Sequence, residues 1–268
     1  MQTATRRIGR HLREWRQRRR LSQLALACDA EISTRHLSFI ETGRSLPSRE
    51  MVLRLAERLE VPLRERNQLL VAAGYAPVFP ERPLDHPTLG AARKAVDLVL
   101  AAHEPYPALA IDRHWTVVAA NNSISRLLDG VDPKLLRPPV NALRLGLHPA
   151  GLAPRIANFA QWRTHLLAHL RRQITVTCDP VLIELLGEFD GYPLPNGAAF
   201  DTPIADREHA DIVVPLRIVV GDRTLSLFGM TTVFGTPIDI TLSEIAIEAF
   251  LPGDTATAEA LRRLAAAA

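Results

Sequence analysis

Arg35, flanked by Thr34, His36, Ser38 and Phe39, is where the side chains of this chain best suit the reading of base edges. A guanidinium presents a fork of donors that matches guanine O6 and N7, and a phenyl ring or a threonine methyl can meet the methyl of thymine. Leu37 and Ile40, spaced i, i+3, face inward and leave those five residues outside. Gln23 stands at the first turn of an earlier helix, where free backbone N–H groups already favour a phosphate.

Other chemistry is less well supported. His165 and His169 are four apart on an expected helix, a metal-capable spacing, but no third ligand is evident and a closed zinc site needs three or four. No metal is therefore assigned. No Glu follows His165, so the His-Glu-x-x-His signature is missing. Glu184, Glu188 and Asp190 read as the solvated face of a short amphipathic helix. Nucleophile-elbow, phosphate-loop and dinucleotide motifs are all absent, and no catalytic residue is assigned. Cys28 and Cys178 lie far apart without a Cys-x-x-Cys pair, which fits a reducing cytoplasm.

The elements that position the first group are two short helices. Ser22 caps one, with Leu24, Ala27 and Cys28 as its apolar face; Ser33 caps the other, and Gly43 stops it. Two such helices make a helix-turn-helix whose second member enters the major groove. Ile8, Leu12 and Trp15 predict a preceding helix. Pro47 and Ser48 start a fourth, with Met51, Leu55 and Leu59 on one face, and a fifth runs over 62–73 to Gly74.

Charge supports the same expectation. Residues 1–80 hold 15 Lys+Arg against 8 Asp+Glu, while the rest hold 17 against 21. A basic excess confined to one region is the footprint of a nucleic-acid binder. The run 16–20 contains four arginines, which either line phosphates or form a solvated helix face. The basic N-terminus has no apolar stretch behind it, and no run approaches a membrane span.

Pro77, Pro80, Pro83 and Pro87 mark a linker. The expected division is 1–76, a linker with a connecting helix over 77–104, and a second domain over 105–268. There, strands are expected over 108–111 and 115–119 about a turn at Asp112-Arg113-His114. A short helix near 141–147 and a strong one over 158–173 follow, then a helix begun by Asp179-Pro180. Residues 190–210 read as a loop. Strands are expected over 212–220, 223–234 and 238–250, with Gly221-Asp222 as a hairpin turn, and a last helix is capped by Asp254 or Thr255. In the last strand Ile245 and Ile247 face opposite to Glu244 and Glu248.

This order predicts an all-α domain of five helices followed by an α+β domain, a five-stranded antiparallel sheet with its helices on one face, the plan of a PAS-type sensor. A cavity between sheet and helices would be lined by Trp162, with Phe159, Leu166, His169 and Phe228 as further candidates. For each, plain core packing is the competing reading.

Residues 6–74 resemble the lambda-repressor-like, XRE-type helix-turn-helix family. The resemblance rests on Leu21-Ser22-Gln23, Ile32-Ser33, Ile40-Glu41-Thr42-Gly43-Arg44 and Pro47-Ser48. It implies a recognition helix over 34–42, phosphate contacts from Gln23 and Arg44, and a Glu41 that orients a neighbour. Residues 105–265 resemble the MmyB-like ligand-binding domain, on the segments 110–123, 158–172 with Asp179-Pro180, and 240–264. That resemblance implies a PAS-like fold and a sensed small molecule; an apolar one such as a fatty acid would suit.

Three functions are in contention. The first is a cytoplasmic homodimeric regulator that binds a double-stranded DNA operator and responds to a ligand. The second is an enzyme domain fused to a helix-turn-helix. The third is a constitutive repressor whose second domain only dimerises.

Overall fold

The computed structural model describes residues 2–195 and 214–266. The chain divides into two compact units: residues 1–83 with 236–243, and residues 84–235 with 244–268.

The first unit begins with five helices, α1 (Gln2–Arg18), α2 (Gln23–Asp29), α3 (Thr34–Glu41), α4 (Arg49–Arg58) and α5 (Leu63–Ala72). Ser22, Ser33 and Ser48 each accept a backbone N–H three residues on, at 3.0, 3.1 and 3.2 Å, so the expected caps set three helix starts. Ile8, Leu12, Trp15, Leu37, Ile40, Leu55 and Leu70 meet in one core. On α2 the buried side chains are Leu26 and Ala27, while Leu24 is 63% exposed and Cys28 is exposed. The expected α2 face is therefore wrong by rotation: a seven-residue helix carries too few apolar positions to fix its phase.

Gly9 of α1 lies against the end of α3. A Cβ there would sit 2.3 Å from the Ile40 carbonyl oxygen, so only glycine permits this approach.

The proline-bearing stretch after α5 is tied to that helix. The Asn67 side chain accepts from the Val78 and Phe79 N–H groups and donates to the Phe79 carbonyl. The division between the units falls after residue 83, inside the expected linker.

The second unit starts with α6 (Gly90–Ala102), then β1 (Ala108–Ile111), β2 (Val117–Ala120), α7 (Asn122–Leu127), α8 (Ala142–Leu147), α9 (Phe159–Thr177) and α10 (Pro180–Asp190). Strands β3 (Leu216–Val220) and β4 (Arg223–Val233) form a hairpin about Gly221, whose φ of +62° suits the turn. Helix α11 (Ile240–Ser243) returns to the first unit, and β5 (Ala246–Pro252) and α12 (Thr255–Ala266) complete the second. The expected loop 190–210 and the start of the expected strand at 212 lie largely outside the described residues.

All strand pairs are antiparallel, in the order β2-β1-β5-β4-β3. All four residues of β1 are buried. Successive side chains point to opposite faces, so the sheet is covered on both sides there, not on one side alone.

Two strand boundaries differ from expectation for local reasons. Asp112 Oδ1 accepts from the His114 and Thr116 N–H groups, both at 2.8 Å, and holds Trp115 at φ +65°, so β2 starts only at Val117. Asp239 Oδ1 accepts from the Thr241 N–H at 2.9 Å and opens α11 within the strand expected over 238–250, so β5 starts only at Ala246.

Candidate DNA-reading face and ligand cavity

The first unit presents α3 with its hydrophilic side outward. Arg35 and His36 are exposed, Thr34, Ser38 and Phe39 half-buried, and Leu37 and Ile40 sealed beneath. The Arg35 guanidinium lies 5.3 Å from the centre of the Phe39 ring, and that of the exposed Arg44 lies 5.8 Å from it. Both guanidiniums are within reach of cation–π attraction to that ring. The geometry thus gathers Thr34, Arg35, His36, Ser38, Phe39 and Arg44 on one surface.

Gln23 is placed differently from a free phosphate donor: its Nε2 donates to Glu41 Oε2 at 2.8 Å. Glu41 is buried and also receives Arg16 Nε at 2.6 Å and Nη2 at 2.8 Å, while Arg16 Nη1 reaches the Leu21 carbonyl at 2.8 Å. This bidentate pair joins α1 to the end of α3 and sets the amide of Gln23. Arg16 is therefore an internal residue, neither phosphate-lining nor solvated. Arg19 is turned back as well, donating to the carbonyls of Leu59 and Glu60. A charge run in sequence does not show which members a buried acid will claim.

In the second unit a cavity of about 620 Å³ lies between the sheet and helices α7, α8 and α9. Its floor is a row set by strand register: Ala120, Leu109, Glu248 and Thr231 stand side by side across β2, β1, β5 and β4. Phe250 and Gly229 form the next pair along. Helix α9 contributes Trp162, His165, Leu166 and His169. Trp115 enters from the Asp112 turn, its Nε1 donating to Gln173 Oε1 at 2.9 Å, with its ring edge-on to His169 at 5.5 Å. Trp162 stacks on His165 at 5.9 Å. The Asn141 cap accepts from the Arg144 N–H and donates to the His114 carbonyl, which holds α8 against the Asp112 turn.

Burial, aided by the charges of Arg172 and His165, holds the His169 imidazole below its ordinary pKa, hence neutral at pH 7. Burial raises Glu248, and the hydroxyl of Thr231, donating to its Oε1 at 2.8 Å, opposes that rise. No cluster of three or more metal-capable side chains occurs among the described residues.

Of the residues expected at a ligand site, Trp162, Leu166 and His169 line this cavity. Phe159 is sealed in the core, and Phe228 is out of phase with the cavity-facing Gly229, its ring close to Gly253. Sequence reasoning missed Trp115, Thr231, Glu248 and Phe250. Alternation between Ala246, Glu248 and Phe250 was the available signal, but Glu248 was grouped with Glu244 by charge.

No curated protein matches the chain. Residues 7–69 match the family model for a helix-turn-helix domain, and residues 92–264 match that for the MmyB-like transcription regulator ligand binding domain. The helix-turn-helix implies DNA binding, and the second domain implies a small molecule. No helix among the described residues is long and apolar enough to cross a membrane. With the greater part of its length in the second match, the chain belongs to the family of MmyB-like transcription regulators, with a helix-turn-helix ahead of the ligand-binding domain.

Proposed function

We propose that this chain is a cytoplasmic, homodimeric, XRE-type regulator that reads its operator with α3 and lets a small apolar ligand modulate that binding. The second domain is taken as PAS-like, in keeping with the sheet order β2-β1-β5-β4-β3 and the cavity between sheet and helices. The observation carrying the proposal is the pairing of an outward, arginine-flanked α3 with an apolar cavity in one chain. Arg35 is assigned to a base, Arg44 and the oriented Gln23 to phosphates, and Trp162, Leu166 and His169 to a ligand with a fatty-acid-like aliphatic body.

Cavity volumes near this value are typical of small-molecule sites. A ligand shifts DNA binding only if it prefers one state of the protein. Strands β4 and β5 both supply cavity residues, and the residues joining them, 236–243, belong to the first unit. There the Ile240 N–H donates to the Pro80 carbonyl at 2.8 Å and Asp239 pairs with Arg82 at 3.4 Å. Displacement of β4 and β5 on ligand entry is the proposed route by which occupancy is felt.

Selection of bound duplexes from a random pool, followed by affinity measurement at several salt concentrations, tests the DNA half. A shared palindromic motif and a steep salt dependence are expected. Uniform binding to all sequences would overturn it. A repressor whose second domain only dimerises predicts a motif but no ligand effect.

A further inference from the structure

We infer that the cavity selects an amphiphile with a cationic hydrogen-bond donor as its head group, an alkyl amine rather than a fatty-acid anion, with Glu248 as the receiving carboxylate. The inference rests on the proposal that the cavity is the ligand site.

The lining is apolar except at a few points, and among the described residues no lysine or arginine contributes to it. Among the described residues an anionic head group would therefore meet no lysine or arginine, and it would lie beside an existing carboxyl group. Desolvating a charge without a partner is costly, and two like charges at short range add to the cost. Of the two histidines that line the cavity, His169 is kept neutral by its burial.

Glu248 is itself a carboxyl in want of a partner: burial raises its pKa, and a cation beside it would favour the carboxylate. Among the described residues its one hydrogen bond is from the Thr231 hydroxyl to Oε1, which leaves Oε2 for a ligand. An amphiphilic amine supplies what is lacking, an N–H donor with positive charge. Charge-assisted hydrogen bonds of this kind are among the stronger ones.

The placement fits an amphiphile. Thr231 is exposed and Glu248 half-buried, so the carboxylate lies toward the solvent side of the floor. Leu127, Leu143 and Leu216 are lining residues that are themselves buried, and they offer an apolar bed for an alkyl chain. A head group near the mouth keeps part of its hydration, which lowers the cost of bringing it in. Two indole rings, Trp115 and Trp162, add faces that attract a cation.

The test is calorimetric titration of the full chain at pH 7 with three probes of equal chain length, decylamine, 1-decanol and sodium decanoate, each below its aggregation threshold. Decylamine is expected to bind tightest, 1-decanol next, and decanoate weakest, at least about tenfold below the amine, in line with the strength of hydrogen bonds to charged groups. Glu248→Gln should bring decylamine down to the level of 1-decanol, while Thr231→Val, which keeps the carboxylate, should preserve the preference for the amine. The comparison in the unaltered chain stands even if Glu248→Gln fails to fold. Decanoate binding tightest, or an amine preference indifferent to Glu248→Gln, would overturn the head-group assignment and leave the cavity as a ligand site. If none of the three binds, the cavity is not the ligand site and both readings fall.

Discussion

Arg35 and Arg44 share the ring of Phe39, and Glu41 two residues beyond that ring holds Arg16 and Gln23. Contact and support are thus divided among neighbours on one short helix. Arg35→Ala should cost roughly 1–3 kcal/mol of operator binding and relax one base position; equal loss on every sequence would make Arg35 a phosphate contact instead. Glu41→Ala should act on folding. It strands a largely buried guanidinium, a change that costs roughly 3–5 kcal/mol, and thermal unfolding would show it before any DNA is added. Glu188 offers a test by acid. The hydrogen bond from Arg144 chiefly holds its carboxyl below the usual range, against the opposing effect of burial, and the Tyr192 hydroxyl adds to it. Its folded pKa is depressed, so the stability it lends is present above the ordinary glutamate value and is lost as pH falls through the folded one. Glu188→Gln should lower stability at pH 7 and flatten the loss below about pH 4. An unchanged acid limb would show that the pair contributes nothing.

At the scale of elements, close approach and register decide the site. Helix α1 can touch the end of α3 only because residue 9 lacks a side chain. Gly9→Ala should force the two apart and destabilise the first unit by roughly 3 kcal/mol, at the upper end for overpacking, with DNA affinity falling alongside. A variant as stable as the parent would mean that the helices part freely. Capping serines, the glycine stop and the i, i+3 pair Leu37 and Ile40 made this unit readable from sequence, because each is a local signal. The cavity was half-readable. Helix α9 shows its face through apolar positions repeated from Phe159 to Leu170, which is why Trp162, Leu166 and His169, all lining the cavity, could be expected there. The floor was not, since its residues are brought together by pairing of β2, β1, β5 and β4 across long stretches of chain. A register displaced by one residue would exchange Glu248 for Ile247, and no local pattern separates the two. Similarly, the claim of Glu41 on Arg16 spans 25 residues and leaves no trace in a charge run.

For the whole molecule, the chain path is the notable feature: the segment between β4 and β5 belongs to the unit that carries α3. In the mechanism proposed above, this connection between β4 and β5 is the element that carries ligand occupancy to the first unit. Arg82→Ala removes the ion pair to Asp239 without touching either α3 or the cavity lining. It should leave ligand affinity and basal operator affinity near their parent values and diminish the effect of one on the other. A full ligand response in Arg82→Ala would move the coupling elsewhere. The most direct measurement is the dissociation constant of the full chain for its selected operator, by fluorescence anisotropy, with and without saturating decylamine or 1-decanol whose binding calorimetry has established. The account predicts a change of about 5- to 150-fold in one direction, the usual range of allosteric coupling. An operator affinity that stays the same with the cavity demonstrably filled would contradict it.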